Sequence, residues 1–315
     1  MEDKMKIVYM GTPDFAVAPL EALLAAGHTV TAVVTQPDKP KGRSGKLQMS
    51  PVKECALQHD IPVLQPIKIK RAEEIERLRQ YEADVYVVAA FGQILSQEIL
   101  DLPHYGSLCI HASLLPAYRG ASPINRVIMD GQKKSGVTIM QMGEGLDTGD
   151  MISKIVIPLS PEETGGSLFG KLAQAGAELL IKTLPSIEQG TAEFEKQPQE
   201  SPTPYASMIT KQMGLMDFSK SAAELERLVR GLNPWPSAFT FYNGKTLKVW
   251  ESFVAESDDL NQAEPGTVVK ADKKGIYVAC GEGVLVLSQV QLEGKKRMDA
   301  DAFLRGCRIE AGNRF

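Results

Sequence analysis

DVYVVAA, residues 84–90, is an unbroken apolar run after its first residue. A strand with one wet face alternates apolar and polar residues, so an unbroken run suits a strand covered on both faces. Comparable runs lie on either side. Lys6–Met10 (KIVYM) stops at Gly11-Thr12-Pro13, a turn and helix-start signal. Phe15, Leu20, Leu23 and Leu24 then give a helical stripe that ends at Gly27. Thr29–Val34 (TVTAVV) is β-branched and reads as a strand. Ser107–Ile110 leads into His111, and Gly136–Met142 (GVTIMQM) is a further strand. This alternation predicts an α/β domain with a mostly parallel sheet and helices on both faces.

The texture changes in the second half. Thr164–Ile187 carries Leu168, Leu172, Leu179, Leu180 and Leu184 at helical spacing. Phe194–Tyr205 (FEKQPQESPTPY) is Pro-rich, polar and without apolar periodicity, and reads as an extended linker. A helix near Ala222–Gly231 follows. Short strands come next: Phe239–Tyr242, Leu247–Val254, Gly266–Lys270, Gly275–Ala279 and Gly283–Leu292. Asn243-Gly244 between two β-rich runs is a hairpin signal. The spacing suggests a small barrel. The expected division is a catalytic domain over 1–190, a linker over 191–209 and a C-terminal domain over 210–315.

The chain has 315 residues and a formal net charge of −4, which excludes a generic polyanion binder. Residues 1–209 carry 20 basic and 25 acidic groups, and residues 210–315 carry 15 and 14. Any nucleic acid must therefore be attracted by local patches. There is no run of 18 apolar residues and no signal-peptide pattern at the start. Cys55, Cys109, Cys280 and Cys307 are scattered without a CxxC pair, which fits a reduced cytoplasmic protein.

In open parallel sheets ligands bind at the carboxyl ends of the strands. Three segments fall there: Gly11–Phe15 (GTPDF), His111–Pro116 (HASLLP) followed by Arg119-Gly120, and Gly143–Asp150 (GEGLDTGD). A lone histidine at a strand end is more often structural, but the surroundings of His111 favour function. Leu114-Leu115-Pro116 would wall off a site, Arg119-Gly120 adds a cation on a turn, and Asp147 sits among three glycines. A His–Asp pair can move protons near neutral pH. Asp147 is equally readable as a helix cap or turn residue. Cys109 and His111, two apart on a strand, share a face. They could form a nucleophile dyad, or Cys109 could be a small buried apolar residue. There is no GxSxG, P-loop, GxGxxG or HExxH motif, and no metal is expected. Lys39, Lys41, Arg43, Lys46 and Lys53 lie in a Pro/Gly/Ser-rich stretch that is either a solvated loop or a phosphate-contacting arm. Trp235, between two prolines, reads as a packing anchor of the second domain, with nucleic-acid stacking as the lesser alternative.

GTPDFA (11–16), TQPDKPKGR (35–43), SPVK (50–53), HASLLP..RG..P (111–123), GVTIMQM..GLDTGD (136–150) and NPWP (233–236) occur in this order. The set resembles the bacterial methionyl-tRNA formyltransferase family, from about residue 6 to the end. The resemblance implies a Rossmann-like formyltransferase domain and an OB-like barrel that helps bind tRNA. It implies 10-formyltetrahydrofolate as donor, the α-amino group of methionine on initiator tRNA as acceptor, no membrane partner, and a monomer. The amine would attack the formyl carbon to give a tetrahedral intermediate. His111 would be the general acid/base, and Asp147 would orient it and assist proton transfer. Folate would be cradled by Ala89, Ala90, Phe91, Gly92, Gln93, Ile94 and Leu95, by Ser113, Leu114, Leu115 and Pro116, and by Met140, Met142, Gly143, Glu144 and Gly145. Lys39, Lys41, Arg43 and Lys46 would inspect the acceptor stem. Lys211 would lie near the methionyl end, as would Gly11, Thr12, Pro13, Asp14 and Phe15.

One position departs from the pattern. The family carries Asn-x-His, and here the asparagine is Cys109. That asparagine would donate a hydrogen bond to the formyl oxygen as it becomes an oxyanion, whereas a thiol is a weak donor. Losing such a donor typically costs about 100- to 1,000-fold in turnover. A slow enzyme is therefore expected, unless His111 or a water covers the oxygen. Two alternatives stand beside this reading. One is an amino-sugar formyltransferase of the same family. The other is a folate- or tRNA-binding protein that has lost catalysis through Cys109.

Overall fold

The apolar runs become strands with almost no exposed residue. β1 (Lys6–Gly11) is buried from Ile7 onward, and β2 (Thr29–Val34) nearly so. Two small strands, β3 (Lys39–Pro40) and β4 (Leu47–Gln48), pair with each other. α2 (Pro51–Gln58) and β5 (Val63–Leu64) precede α3 (Ala72–Arg79) and β6 (Val85–Ala89), and every residue of β6 is buried. The short α4 (Gln97–Leu100) leads to β7 (Ser107–His111), also buried throughout. A computed structural model describes residues 4–40, 45, 47–256 and 263–315.

The main sheet has seven strands in the order β5-β2-β1-β6-β7-β8-β9. The first five run parallel. α1 (Val17–Ala25) forms the expected stripe, with Leu20 and Leu23 fully buried. The expected strand at 136–142 is β8 (Lys134–Gln141), and it runs antiparallel to β7. A partner strand not anticipated, β9 (Met151–Pro158), returns antiparallel to β8 at the sheet edge. The loop 142–150 is too short for the crossover that a parallel return would need, which fixes this direction. The sheet is thus mostly parallel with an antiparallel edge.

By their contacts the residues form two compact units. Unit 1 is Met1–Pro123, Lys134–Pro158 and Phe169–Ala206; unit 2 is Ile124–Lys133, Leu159–Leu168 and Ser207–Phe315. The residues of α5 after Pro123 (Pro123–Met129) and the start of α6 (Gly165–Glu188) thus group with unit 2. Residues 191–206, expected as linker, are extended but not free. Glu195 and Met151 exchange backbone hydrogen bonds. The amide of Ala206 donates to Arg119 O, and Ser122 donates to Ala206 O. A polar, Pro-rich composition cannot distinguish a free linker from a strap held by hydrogen bonds.

In unit 2, α7 (Ala222–Gly231) begins with a capping box between Ser221 and Glu224. β10 (Ala238–Tyr242) and β11 (Lys245–Val254) form the expected hairpin. Asn243 and Gly244 take φ of 50° and 74° at its turn, the left-handed pair that Asn-Gly favours. β12 (Val268–Asp272), β13 (Gly275–Ala279), β14 (Val284–Leu292) and β15 (Met298–Asp299) complete an antiparallel sheet, with α8 (Ala300–Gly306) after it. The order is β10-β11-β14-β13-β12, with β15 beside β14. Leu225, Val229, Leu247, Leu285, Leu287 and Phe303 share its core.

Trp235 is not the expected anchor, because it is 56% exposed. Leu232 nearby is fully buried instead, and its carbonyl accepts from Ser237 N. Removing Trp235 should therefore matter little. In urea unfolding, Trp235→Ala is expected to stay within about 0.5 kcal/mol of the parent. Leu225→Ala should cost about 2–5 kcal/mol. A large loss for Trp235→Ala would reinstate it as an anchor.

Candidate active site

Three neighbouring parallel strands end together. Gly11 of β1 pairs with Ala89 of β6, and Val88 of β6 with Cys109 of β7. The segments GTPDF, AAFG and CIH therefore leave the sheet side by side. Gly11 must be glycine, because a Cβ there would come within 2.6 Å of Ala16 Cβ. The Thr12 hydroxyl donates to Phe91 O at 2.9 Å, and Gln36 Nε2 donates to the same carbonyl at 3.2 Å. Phe15 turns inward, edge-on to Phe169, while Asp14 is exposed.

β7 places His111 at its last position, 6% exposed. The chain then turns sharply. Buried Thr138, paired with His111 across β8, donates to Ser113 O at 2.7 Å and accepts from Leu115 N at 3.1 Å. The turn brings Tyr118 O to 3.0 Å from His111 Nε2. A carbonyl can only accept, so Nε2 carries the proton and Nδ1 of the neutral ring is left as an acceptor. Nδ1 faces Asp147 Oδ1 at 3.7 Å. That is within ion-pair range but too long for a hydrogen bond. The tautomer is therefore fixed by Tyr118 rather than by Asp147, contrary to expectation. The Asp147 carboxylate is held by its other oxygen, which accepts from Gly120 N at 2.8 Å.

The Asp147 loop follows an antiparallel strand, so it does not start at the same sheet edge as His111. Gln141 pairs with Leu108, three residues before His111. The loop must fold back by about 10 Å to bring Asp147 to the histidine. Asp147 has φ +54°, a left-handed conformation that is costly outside glycine. Gln197 clamps this loop. Its Nε2 donates to Asp147 O at 2.9 Å and Gly149 O at 2.8 Å, and its Oε1 accepts from Arg119 Nε at 2.9 Å. Arg119, expected as a cation on a turn, is 8% exposed. It spends its remaining donors on the carbonyls of Gln199 and Pro198. The sequence pointed to neither Tyr118 nor Gln197. A lone glutamine in a polar stretch carries no pattern.

Cys109 lies in the same wall, packed with Leu115, Met140 and Met151. Burial pushes its thiol far up, and the Asp147 carboxylate adds to this. Burial works against the thiolate that a dyad needs, and the two ring nitrogens of His111 face Tyr118 O and Asp147, which speaks against a Cys109–His111 dyad.

The remaining expected positions divide by exposure. Ala90, Gly92, Ile94, Glu144 and Gly145 are exposed, whereas Ala89, Phe91, Leu95, Ser113, Leu115 and Met140 lie beneath them. Leu114, Pro116, Met142 and Gly143 are partly covered. Gln93 is occupied structurally: it accepts from Ile69 N and donates to Pro66 O. Ala90 and Gly92 take φ of 47° and 87°, and nothing lies within 4 Å of a Cβ built on Gly143. Ala90, Gly92 and Gly145 are thus exposed positions with little or no side chain. Of the basic stretch, Lys39 is exposed, while Lys41, Arg43 and Lys46 lie outside the described residues. Lys53 is spent on Asp38 at 2.7 Å and on Gln65 at 2.8 Å, and holds the Asp38 carboxyl below its ordinary range. Lys211 is exposed in unit 2, at the start of a short 3-10 turn. Among the described residues no cluster of three or more His, Cys, Asp or Glu side chains is set to hold a metal.

Residues 5–184 match the formyl transferase family model, and residues 208–308 match the formyl transferase C-terminal domain. The methionyl-tRNA formyltransferase of Agathobacter rectalis is 55% identical over 311 residues, covering 99% of both chains. That of Bacillus subtilis is 50% identical over 309 residues, covering 98% of this chain and 96% of its own. Among solved structures, an N-formyltransferase from Helicobacter canadensis in complex with folinic acid and dTDP-3-aminofucose has a TM-score of 0.65 at 21% identity, covering 90% of this chain and 99% of that one. HypX from Aquifex aeolicus in complex with tetrahydrofolic acid has a TM-score of 0.64 at 15% identity, covering 96% of this chain and 47% of that one. These two likenesses speak to the fold, and the curated relatives to the family. With the match spanning both units at such identity, the chain belongs to the methionyl-tRNA formyltransferase family.

Proposed function

We propose that this chain transfers the formyl group of 10-formyltetrahydrofolate to the α-amino group of methionine on initiator tRNA. The observation that carries this reading is the end-to-end identity to methionyl-tRNA formyltransferases, 55% over 311 residues in the Agathobacter rectalis protein. The N-formyltransferase of Helicobacter canadensis, in complex with dTDP-3-aminofucose, is only 21% identical, a likeness that speaks to the fold. The action is cytoplasmic, and the working form is a monomer. Four free cysteines, three of them buried, and no described helix long and apolar enough to cross a membrane are consistent with that setting.

The bond from the amine nitrogen to the formyl carbon forms, and the bond from that carbon to folate N10 breaks. One proton must pass from the amine to N10. His111 suits this task because its Nδ1 is the free acceptor. Once protonated, Nδ1 faces the Asp147 carboxylate, which stabilises the imidazolium and is itself kept in place by Gly120. The formyl oxygen gathers charge as the amine attacks. Cys109 stands where a family member carries the asparagine donor, and its thiol stays protonated but donates weakly. Ala90, Gly92, Ile94 and Gly143 offer the folate surface. Lys39, Lys41, Arg43, Lys46 and Lys211 supply cations for tRNA phosphates.

A formylation assay with charged initiator tRNA and with a nucleotide amino sugar tests the assignment. Transfer to the tRNA alone is expected, and transfer to the sugar alone would sink it. Folate binding without transfer to either would support the catalytically silent alternative. His111→Asn should lower kcat by about 100- to 10,000-fold. Cys109→Asn should raise kcat by about 10-fold or more, given what an oxyanion donor contributes. The added volume should cost about 1–3 kcal/mol of stability. An unchanged kcat in a folded Cys109→Asn protein would show that another group covers the oxygen. Gly120→Ala forces a Cβ to 2.7 Å from Ala206 O at φ +123°. It should displace the Asp147 contact and reduce kcat by about 100-fold. A wild-type kcat would show that the Gly120 amide is dispensable.

A further inference from the structure

We propose that Gln197 is a positioning residue for the formyl transfer: through its side-chain amide it holds Asp147 in the conformation that faces His111. The proposal rests on the reading of His111 and Asp147 as the proton-transfer pair.

Along 193–200 only Gln197 turns inward; its neighbours on both sides are exposed. Its orientation is forced by its partners. Two carbonyls, Asp147 O and Gly149 O, can face only the NH₂ end, and the Arg119 Nε–H can face only the oxygen. Both amide hydrogens are thus spent on the loop that carries Asp147. That loop needs holding. It contains Gly143, Gly145 and Gly149, and Asp147 itself is left-handed at φ +54°. Such a conformation persists only when surrounding contacts over-determine it. Gly120 N fixes the carboxylate, and Gln197 fixes the main chain beneath it. Arg119, buried and bonded to three successive residues of the strap, keeps Gln197 in place. Without the two amide donors, the loop is free to leave the left-handed region and withdraw the carboxylate from Nδ1.

Gln197→Glu is the informative substitution. It keeps the size of the side chain and the acceptor facing Arg119, but it has no hydrogen to give the two carbonyls. Steady-state kinetics on the full chain, with 10-formyltetrahydrofolate and methionyl-tRNA, should show kcat reduced by about 10- to 100-fold. KM for the folate should stay within about twofold. A residue acting only through Asp147 cannot act when Asp147 is disabled. In an Asp147→Asn background, Gln197→Glu should therefore change kcat by less than about twofold. Thermal unfolding of each variant reports its folded fraction, and Gln197→Met serves as a second variant of similar length if the glutamate variant does not fold. A wild-type kcat in either folded single variant, or losses that multiply with that of Asp147→Asn, would overturn the proposal. A wild-type kcat in Asp147→Asn alone would instead overturn the proton-transfer reading, so the two failures are distinguishable.

Discussion

The carbonyl of Tyr118 and the amide of Gly120 lie on either side of Arg119 and set the spacing of the whole site. One accepts from His111 Nε2, and the other donates to Asp147 Oδ2. The pair that would move the proton is thus gauged by a short piece of main chain rather than by direct contact between the two side chains. That piece is itself unfavourable at Tyr118, which sits at φ +57°, whereas Gly120 at φ +123° takes a conformation open to glycine. A non-glycine residue in the left-handed region costs about 1–3 kcal/mol and survives only when its surroundings leave no alternative. Here the surroundings are the strap. Thr203 accepts from Tyr118 N, Ser201 donates to Pro116 O, and Ala206 bonds to both Arg119 and Ser122.

The strap explains what could be read in advance and what could not. β1, β6 and β7 announce themselves because burial on both faces demands unbroken apolar runs. Asn243-Gly244 does so because two consecutive left-handed residues demand that chemistry. His111 stands out as a polar residue at the end of such a run. The edge strand β9 gives no such signal, since its half-exposed MISKIVIP offers too mixed a pattern and its direction depends on the brevity of the loop before it. Arg119 was misjudged for a related reason. A guanidinium next to a glycine looks like a ligand-facing cation until the strap's carbonyls surround it. Trp235, flanked by two prolines, reads as an anchor, yet it is exposed while the smaller Leu232 lies in the interior. In each case the deciding partner lies far along the chain, where one sequence carries no trace of the pairing.

Asp147 illustrates how a sheet edge can be put to use. A parallel β8 would have delivered its loop to the same rim as His111. The antiparallel β8 starts the loop at the opposite end instead. Folding it back then requires glycines for the bend and a left-handed aspartate at its far reach. The clamp from the strap is the counterpart of that detour.

Cys109 has a further consequence, in redox terms. A cysteine two residues from the histidine of a candidate proton-transfer pair is ordinarily a point of weakness, because peroxides and electrophiles attack the thiolate. In this wall of Leu115, Met140 and Met151 the thiol is held protonated, with a carboxylate nearby that disfavours its ionisation further. Whatever the exchange of asparagine for cysteine does to the speed of transfer, the packing around Cys109 works against the thiolate, the form that oxidants attack.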